Sequence, residues 1–227
     1  MVYFRQLFDE ESATYTYLLA DGVSFRAVLI DPVADHANLY LSLLDEQKLT
    51  LNFVLETHVH ADHITAAGIL RRQTGACVAV GRACAAPCAD LQLTGGEVLN
   101  FGNESIFVLD TPGHTPGSVS YLWRDRLFTG DALLIDGCGR TDFQQGDAGM
   151  LFDSIVHKIW NLPDETLVYP GHDYHQRYVS SVAQEKRSNA RVAGKSRDEF
   201  IALMQNLELP QPRMIDRAVP ANRQCGG

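Results

Sequence analysis

The chain has no apolar run approaching the ~20 residues needed to cross a bilayer, so no membrane span is expected. Basic residues are scarce: 19 Lys and Arg stand against 28 Asp and Glu, a formal net charge of −9. Phosphate binding needs a concentrated basic surface, so nucleic acid is not expected as a partner. The N-terminus, Met-Val-Tyr-Phe-Arg-Gln-Leu-Phe, turns acidic at Asp9-Glu10-Glu11. It shows neither a signal-peptide core nor a transit-like composition and reads as cytoplasmic. Cysteines number only five, at positions 77, 84, 88, 138 and 225. An odd count outside a short secreted framework predicts reduced thiols. Cys84 and Cys88 lie four apart, but no second pair follows at zinc-ribbon spacing. Repeats, low-complexity segments and internal linkers are absent as well. What is present is an ordinary globular composition, 45% hydrophobic and 21% charged, in 227 residues that can bury a substantial core.

Residues 2–8, 14–20 and 24–30 are rich in aromatic and β-branched side chains and predict strands. Asp21-Gly22 is a hairpin turn signal, and Asp31-Pro32 stops the third strand. Leu39, Leu43 and Leu44 mark a helix ending near Lys48. A strand over 51–55 follows, then a helix over 64–72 that closes at Gly75, and a short buried strand over 77–80. Residues 81–96 read as irregular. Strands are expected at 105–109, 119–123, 126–129 and 167–169, and a helix over 148–160. A polar helix is expected from Gln176 to about Arg187. A second runs from Ser196 to Asn206, with Ser196 as cap and Glu199 three residues later. The tail, 209–227, with three prolines and a terminal Gly226-Gly227, is expected to be extended.

The densest chemistry lies in Glu56-Thr-His-Val-His-Ala-Asp-His-Ile-Thr65. His58, His60, Asp62 and His63 place three imidazoles and a carboxylate within six residues, between a strand and a helix. Such a donor set suits zinc, iron or manganese rather than calcium or magnesium. The pattern resembles the signature of the metallo-β-lactamase superfamily. Its downstream partners stand at His114 in Thr-Pro-Gly-His-Thr-Pro-Gly-Ser, Asp131 in Phe-Thr-Gly-Asp-Ala and His172 in Tyr-Pro-Gly-His-Asp-Tyr. Periodicity alone indicates α/β or α+β. The resemblance implies a four-layer αββα sandwich with the metal at the edge between its sheets. Ligands spread from residue 58 to residue 172 must converge, so residues 1–227 are expected to form one domain.

The run from Thr129 to Gln144, Thr-Gly-Asp-Ala-Leu-Leu-Ile-Asp-Gly-Cys-Gly-Arg-Thr-Asp-Phe-Gln, is similar to the corresponding loop of the persulfide dioxygenases. Gly171 departs from this family, some members of which carry Ala there. The resemblance implies a glutathione-dependent enzyme that oxidises glutathione persulfide with O2 at one Fe(II), held by His58, His114 and Asp131. His60, Asp62, His63 and His172 would then line the cavity and orient water and ligands by hydrogen bonds. In a dinuclear hydrolase similar to glyoxalase II, the same residues would build a second metal site. The ligand set by itself fits both, and a non-catalytic metal-binding protein is a third reading. Thr129 is expected to buttress Asp131. Arg140 is placed to hold a glutathione carboxylate, or else to tie its loop to Asp142 or Asp147. Tyr174 either donates a hydrogen bond to the substrate or packs. Cys138, between two glycines, suggests tight backbone geometry rather than a nucleophile. The family resemblance also implies a homodimer or higher oligomer.

Overall fold

The computed structural model describes residues 2–212 and 214–227; Met1 of the N-terminal segment and Arg213 of the C-terminal tail lie outside the described residues. Two six-stranded sheets form the centre. The first contains β1 (Val2–Asp9), β2 (Thr14–Asp21), β3 (Arg26–Ile30), β4 (Thr50–Glu56), β5 (Cys77–Gly81) and β6 (Leu91–Leu93), in that spatial order. Its first three strands are antiparallel, and β3 to β6 run parallel. The second sheet takes the order β12-β11-β10-β9-β8-β7, made from β7 (Val98–Phe101), β8 (Glu104–Asp110), β9 (Val119–Trp123), β10 (Arg126–Gly130), β11 (Leu167–Pro170) and β12 (Ser180–Ser181). Among the described residues, only β10 and β11 pair in parallel there.

The alternation of β2 shows how the layers assemble. All eight of its residues are buried. Tyr15, Tyr17 and Leu19 face the second sheet, where they meet Phe101, Tyr121, Trp123 and Phe128. Leu18 and Ala20 point the other way, towards α1 (Ala37–Glu46) and α2 (Ala67–Thr74), through Tyr40, Leu44 and Leu70. A strand covered on both faces needs apolar side chains at both parities. The outer face of the second sheet, through Leu127 and Val168, is covered by α3 (Ala148–His157), α4 (Val182–Ser188) and α5 (Arg197–Gln205). The result is the expected αββα sandwich.

Local signals behave as their chemistry dictates. Gly75 closes α2 in the left-handed region at φ 74°. Ser196 and Glu199 form a reciprocal capping box at the start of α5. Elsewhere tertiary pairing overrides the local pattern. β6 arises within 81–96 because Leu91–Leu93 adds a parallel edge to β5. The helix expected from Gln176 begins only at Val182. Before it, Ser180 and Ser181 pair with β11, and Ser181 caps α4.

The C-terminal tail departs from expectation. Residues 207–212 are irregular, but α6 (Ile215–Asn222) follows, with Pro220 inside it. The expectation of reduced thiols is corrected too: Cys88 and Cys225 form a disulfide across 137 positions, whereas Cys77, Cys84 and Cys138 are free. No sequence spacing marks such a pair, because folding alone brings α6 beside the turn before β6.

Candidate metal centre

The ends of β4, β8, β10 and β11 open at one edge of the sandwich, and the loops that leave them carry His58, His114, Asp131 and His172. His58, His114 and Asp131 each present one donor atom, all within 4.8 Å of one another. His114 Nε2 lies 3.6 Å from Asp131 Oδ2, and the rings of His58 and His114 stand nearly perpendicular with centroids 4.9 Å apart.

Hydrogen bonds fix which nitrogen of each imidazole is available. The Arg140 carbonyl can only accept, so the 2.7 Å contact places the proton of His114 on Nδ1. For His58 the orientation passes through two residues. Asp31 accepts from the Thr57 hydroxyl at 2.7 Å and from the Thr57 amide at 2.7 Å. With its proton committed to Asp31, the Thr57 hydroxyl accepts from His58 Nδ1 at 2.9 Å. Both imidazoles thus turn an Nε2 lone pair towards Asp131. Burial, with His60 and His114 close by, pushes His58 well below the ordinary imidazole value and keeps it neutral. Two imidazoles and one carboxylate fit a divalent transition metal.

Beside this triad lies a second polar group. Asp62 Oδ2 accepts from His63 Nδ1 at 2.8 Å, His172 Nε2 at 2.9 Å and the Thr14 hydroxyl at 3.0 Å. The other nitrogen of His172 donates to Asp131 Oδ1 at 2.6 Å. An imidazole that donates to two carboxylates carries two protons. Burial opposes the charge of His172, but Asp131 and Asp62 hold it well above the ordinary value. Burial likewise opposes ionisation of Asp131, yet the charge and hydrogen bond of His172 keep its carboxyl below the usual range.

His60 turns inwards, with Nε2 3.1 Å from Asp31 Oδ1 and 3.2 Å from Glu56 Oε2. Burial raises Glu56 above the usual carboxylate value, while burial's opposite pull on His60 is outweighed by Asp31 and Glu56. His60 Nδ1 and His63 Nε2 are buried without a partner. Together with Asp62 these residues form a second group able to hold a metal.

The profile of the metallo-β-lactamase superfamily matches residues 11–90 and 89–172. The chain is 48% identical to the persulfide dioxygenase ETHE1, mitochondrial, of Mus musculus, across 99% of this chain and 89% of that one. The crystal structure of ETHE1 from Myxococcus xanthus superposes with a TM-score of 0.97 at 57% identity, covering 99% of this chain and 100% of the other. The chain belongs to the persulfide dioxygenase family of the metallo-β-lactamase superfamily. A hydroxyacylglutathione hydrolase from Cereibacter sphaeroides is 36% identical over 73% of this chain and 64% of its own length.

Within this persulfide dioxygenase family member, the loop after Asp131 is tightly built. The Thr129 hydroxyl donates to the Leu133 carbonyl at 2.6 Å, bracing the turn that carries Asp131. A Cβ on Gly139 would lie 2.4 Å from the Asp131 carbonyl and 2.8 Å from His114 Nδ1. Close approach therefore accounts for glycine at 139, while Gly137 is open, with nothing nearer than 4.0 Å. Cys138 is buried, its thiol pushed up to about 11 by burial. Arg140 makes the loop-tying contact: Nε and Nη2 grip Asp142 at 2.7 Å each, and Nη1 reaches the Pro210 carbonyl at 2.6 Å. Tyr174 lies parallel to His172, with ring centroids 6.3 Å apart, and is 72% exposed.

Sequence reasoning missed Thr14, Asp31, Thr57 and Asn222. Asp31 carries a faint signal, a carboxylate directly after the apolar strand and before proline. Thr14 and Asn222 carry none, because their partners within the site lie 48 and more positions away.

Proposed function

We propose that this protein is a glutathione-dependent persulfide dioxygenase with one Fe(II) per chain. Glutathione persulfide, O2 and water would be converted to glutathione, sulfite and two protons, with both oxygen atoms of O2 placed on the terminal sulfur. The observation that carries this reading is the 48% identity to a persulfide dioxygenase over 99% of the chain; the triad of His58, His114 and Asp131 supplies a two-histidine, one-carboxylate face of the kind that holds non-haem iron. Bound there, iron would supply the redox chemistry that lets O2 react with the persulfide sulfur.

The chain's residues would set the geometry for that chemistry. Arg140 O and Thr57 Oγ1 keep the protons of His114 and His58 on Nδ1. His172 holds a proton on Nδ1 against Asp131 Oδ1, which leaves Oδ2 as the oxygen nearer His114. The three bonds accepted by Asp62 Oδ2 support its role in orienting His63 and His172. We assign His60, Asp62, His63 and His172 to this orienting role. Arg140 is assigned to a glutathione carboxylate. Asp142 now occupies its two-pronged face, so substrate would exchange one carboxylate for another. Tyr174, exposed beside His172, lies where it can meet the peptide. The disulfide that returns α6 to the turn before β6 supports reading the whole chain as one domain.

The test is oxygen uptake on adding glutathione persulfide to protein purified without oxygen and assayed for metal. Uptake proportional to iron, near one iron per chain, with sulfite formed, is the expected result. Iron-loaded protein that consumes no oxygen would refute it. Two metals per chain with cleavage of a glutathione thioester would favour the hydrolase, which the 36% identical relative keeps in view.

A further inference from the structure

The C-terminal helix holds the metal-ligand loop by one side chain. Asn222, near the end of α6, is buried at 7% exposure. Its Oδ1 accepts from the Thr65 amide at 2.9 Å, and its Nδ2 donates to the carbonyls of His60 at 2.9 Å and His63 at 2.8 Å. One amide therefore uses both donor hydrogens and its acceptor on the segment that carries His58, His60, Asp62 and His63. Nearby, the Gly68 amide at the start of α2 donates to the Cys225 carbonyl at 2.7 Å. The fit is close: a Cβ on Gly226 would lie 2.3 Å from the Thr65 carbonyl. The chain reaches α6 through an irregular connection whose Leu209 and Pro210 carbonyls are held by Arg140. Beyond Asn222, the Cys88–Cys225 disulfide ties the end of the chain to the turn before β6. Arg71 Nη1 anchors that turn through the Cys88 carbonyl at 2.7 Å.

We propose that the C-terminal segment is a redox-latched clasp on the metal-ligand loop, with Asn222 as a positioning residue and the Cys88–Cys225 disulfide as its latch. The effector class is a low-molecular-weight thiol. One thiolate attacks a sulfur of the disulfide and displaces the other cysteine as thiolate. A second thiol cleaves the mixed disulfide, leaving two cysteine thiols and the disulfide of the small thiol. The protein disulfide gains two electrons and the two thiols lose them. With the latch open, α6 loses its covalent tie to the turn before β6 and is held on the loop by the Asn222 contacts, the Gly68–Cys225 hydrogen bond and its packing. The Asn222 contacts then open more often, freeing the Thr65 amide and two carbonyls of the ligand loop. The inference goes beyond the proposed reaction and does not depend on which metal is native.

The full-length protein tests it with Co(II) as the probe. Intact mass without reductant should be lighter by two hydrogens than the all-thiol chain, with a linked peptide joining Cys88 and Cys225. Dithiothreitol treatment, with the reagent removed under nitrogen, should accelerate amide exchange over 58–66. It should also change the ligand-field bands of Co(II) and speed Co(II) loss to a chelator by roughly tenfold, the lower end for groups supporting metal ligands. The double variant C88S/C225S should match the reduced protein whether or not it is treated. Asn222→Asp keeps the disulfide and the acceptor for Thr65 but loses both donors. Its carboxylate oxygen would face the His60 and His63 carbonyls, so it should loosen the loop at least as much as Asn222→Ala in exchange rate, Co(II) spectrum and Co(II) release. Free thiols at Cys88 and Cys225 in native protein would overturn the proposal. So would loop exchange and Co(II) release that are identical before and after reduction, a result read on wild type even where a variant fails to fold.

Discussion

Thr57→Val removes one hydroxyl from the metal centre while keeping the shape of the side chain. In the native protein that hydroxyl donates to Asp31 Oδ2 at 2.7 Å and accepts from His58 Nδ1 at 2.9 Å. All three residues are buried, at 1–2% exposure, so water does not replace the lost bonds. A hydrogen bond to a charged group contributes about 1.5–3 kcal/mol, and a buried donor left unpaired costs about 1–3 kcal/mol. Asp31 retains the Thr57 amide and His60 as donors, which confines the loss to the lower part of the combined range. The expected destabilisation is about 2.5–4 kcal/mol in urea unfolding of metal-free protein. A second effect is independent of stability. Without an acceptor at Nδ1, His58 is free to carry its proton on Nε2, withdrawing the lone pair that faces Asp131. Metal affinity, measured by competition with a chromophoric chelator, should fall by about 10–100-fold. Thr57→Ser restores the hydroxyl and should recover most of the affinity. If Thr57→Val unfolds and binds metal like wild type, the relay from Asp31 through Thr57 to His58 is not what sets that imidazole.

Gly139→Ala should preserve the fold but weaken metal retention by at least about tenfold, since its Cβ would press on the Asp131 carbonyl and the His114 ring; wild-type metal content after dialysis against chelator would refute this. Glu104 is held below the usual carboxylate range by Arg124, against burial and with help from the Trp123 indole. A depressed folded value means that its stabilisation is present above the unfolded value of about 4.3 and is lost as pH falls through the folded value. Glu104→Gln should therefore be less stable than wild type at neutral pH and converge on it in acid, whereas a constant gap in urea midpoint across pH would contradict the linkage. Among the free thiols, burial pushes Cys84 up to about 12 and Cys138 up to about 11. Iodoacetamide at pH 8 should modify half-buried Cys77 and spare these two in folded protein, as read by peptide mass spectrometry; prompt labelling of Cys138 would make it a reactive group.

Much of the fold and the metal triad is legible in residue order. The hairpin-forming strands of the N-terminal third, the Gly75 stop and the Ser196–Glu199 box are local devices, and each appears where its chemistry predicts. The His58–His63 cluster is likewise local, because a loop at a strand end brings neighbouring imidazoles together, His58 beside His60 and His60 beside His63. Arg140 shows where local reading divides: residue order leaves it between holding substrate and tying its loop, and its guanidinium grips Asp142 and the Pro210 carbonyl.

Residue order determined which candidate metal donors the protein carries, and that apolar strands would stack into layers to bury them. Tertiary structure alone decided how those donors are oriented. Thr14 reaches Asp62 and His172, Asp31 reaches Thr57 and His60, and Asn222 reaches His60 and His63, across separations of 26 to 162 positions. It also decided that a proline-bearing tail would end in a helix and that Cys88 would meet Cys225. The physical reason is range. Propensity, capping and periodicity act between residues a few positions apart, whereas a buried hydrogen bond or disulfide between distant residues exists only once the sheets have packed and set their register.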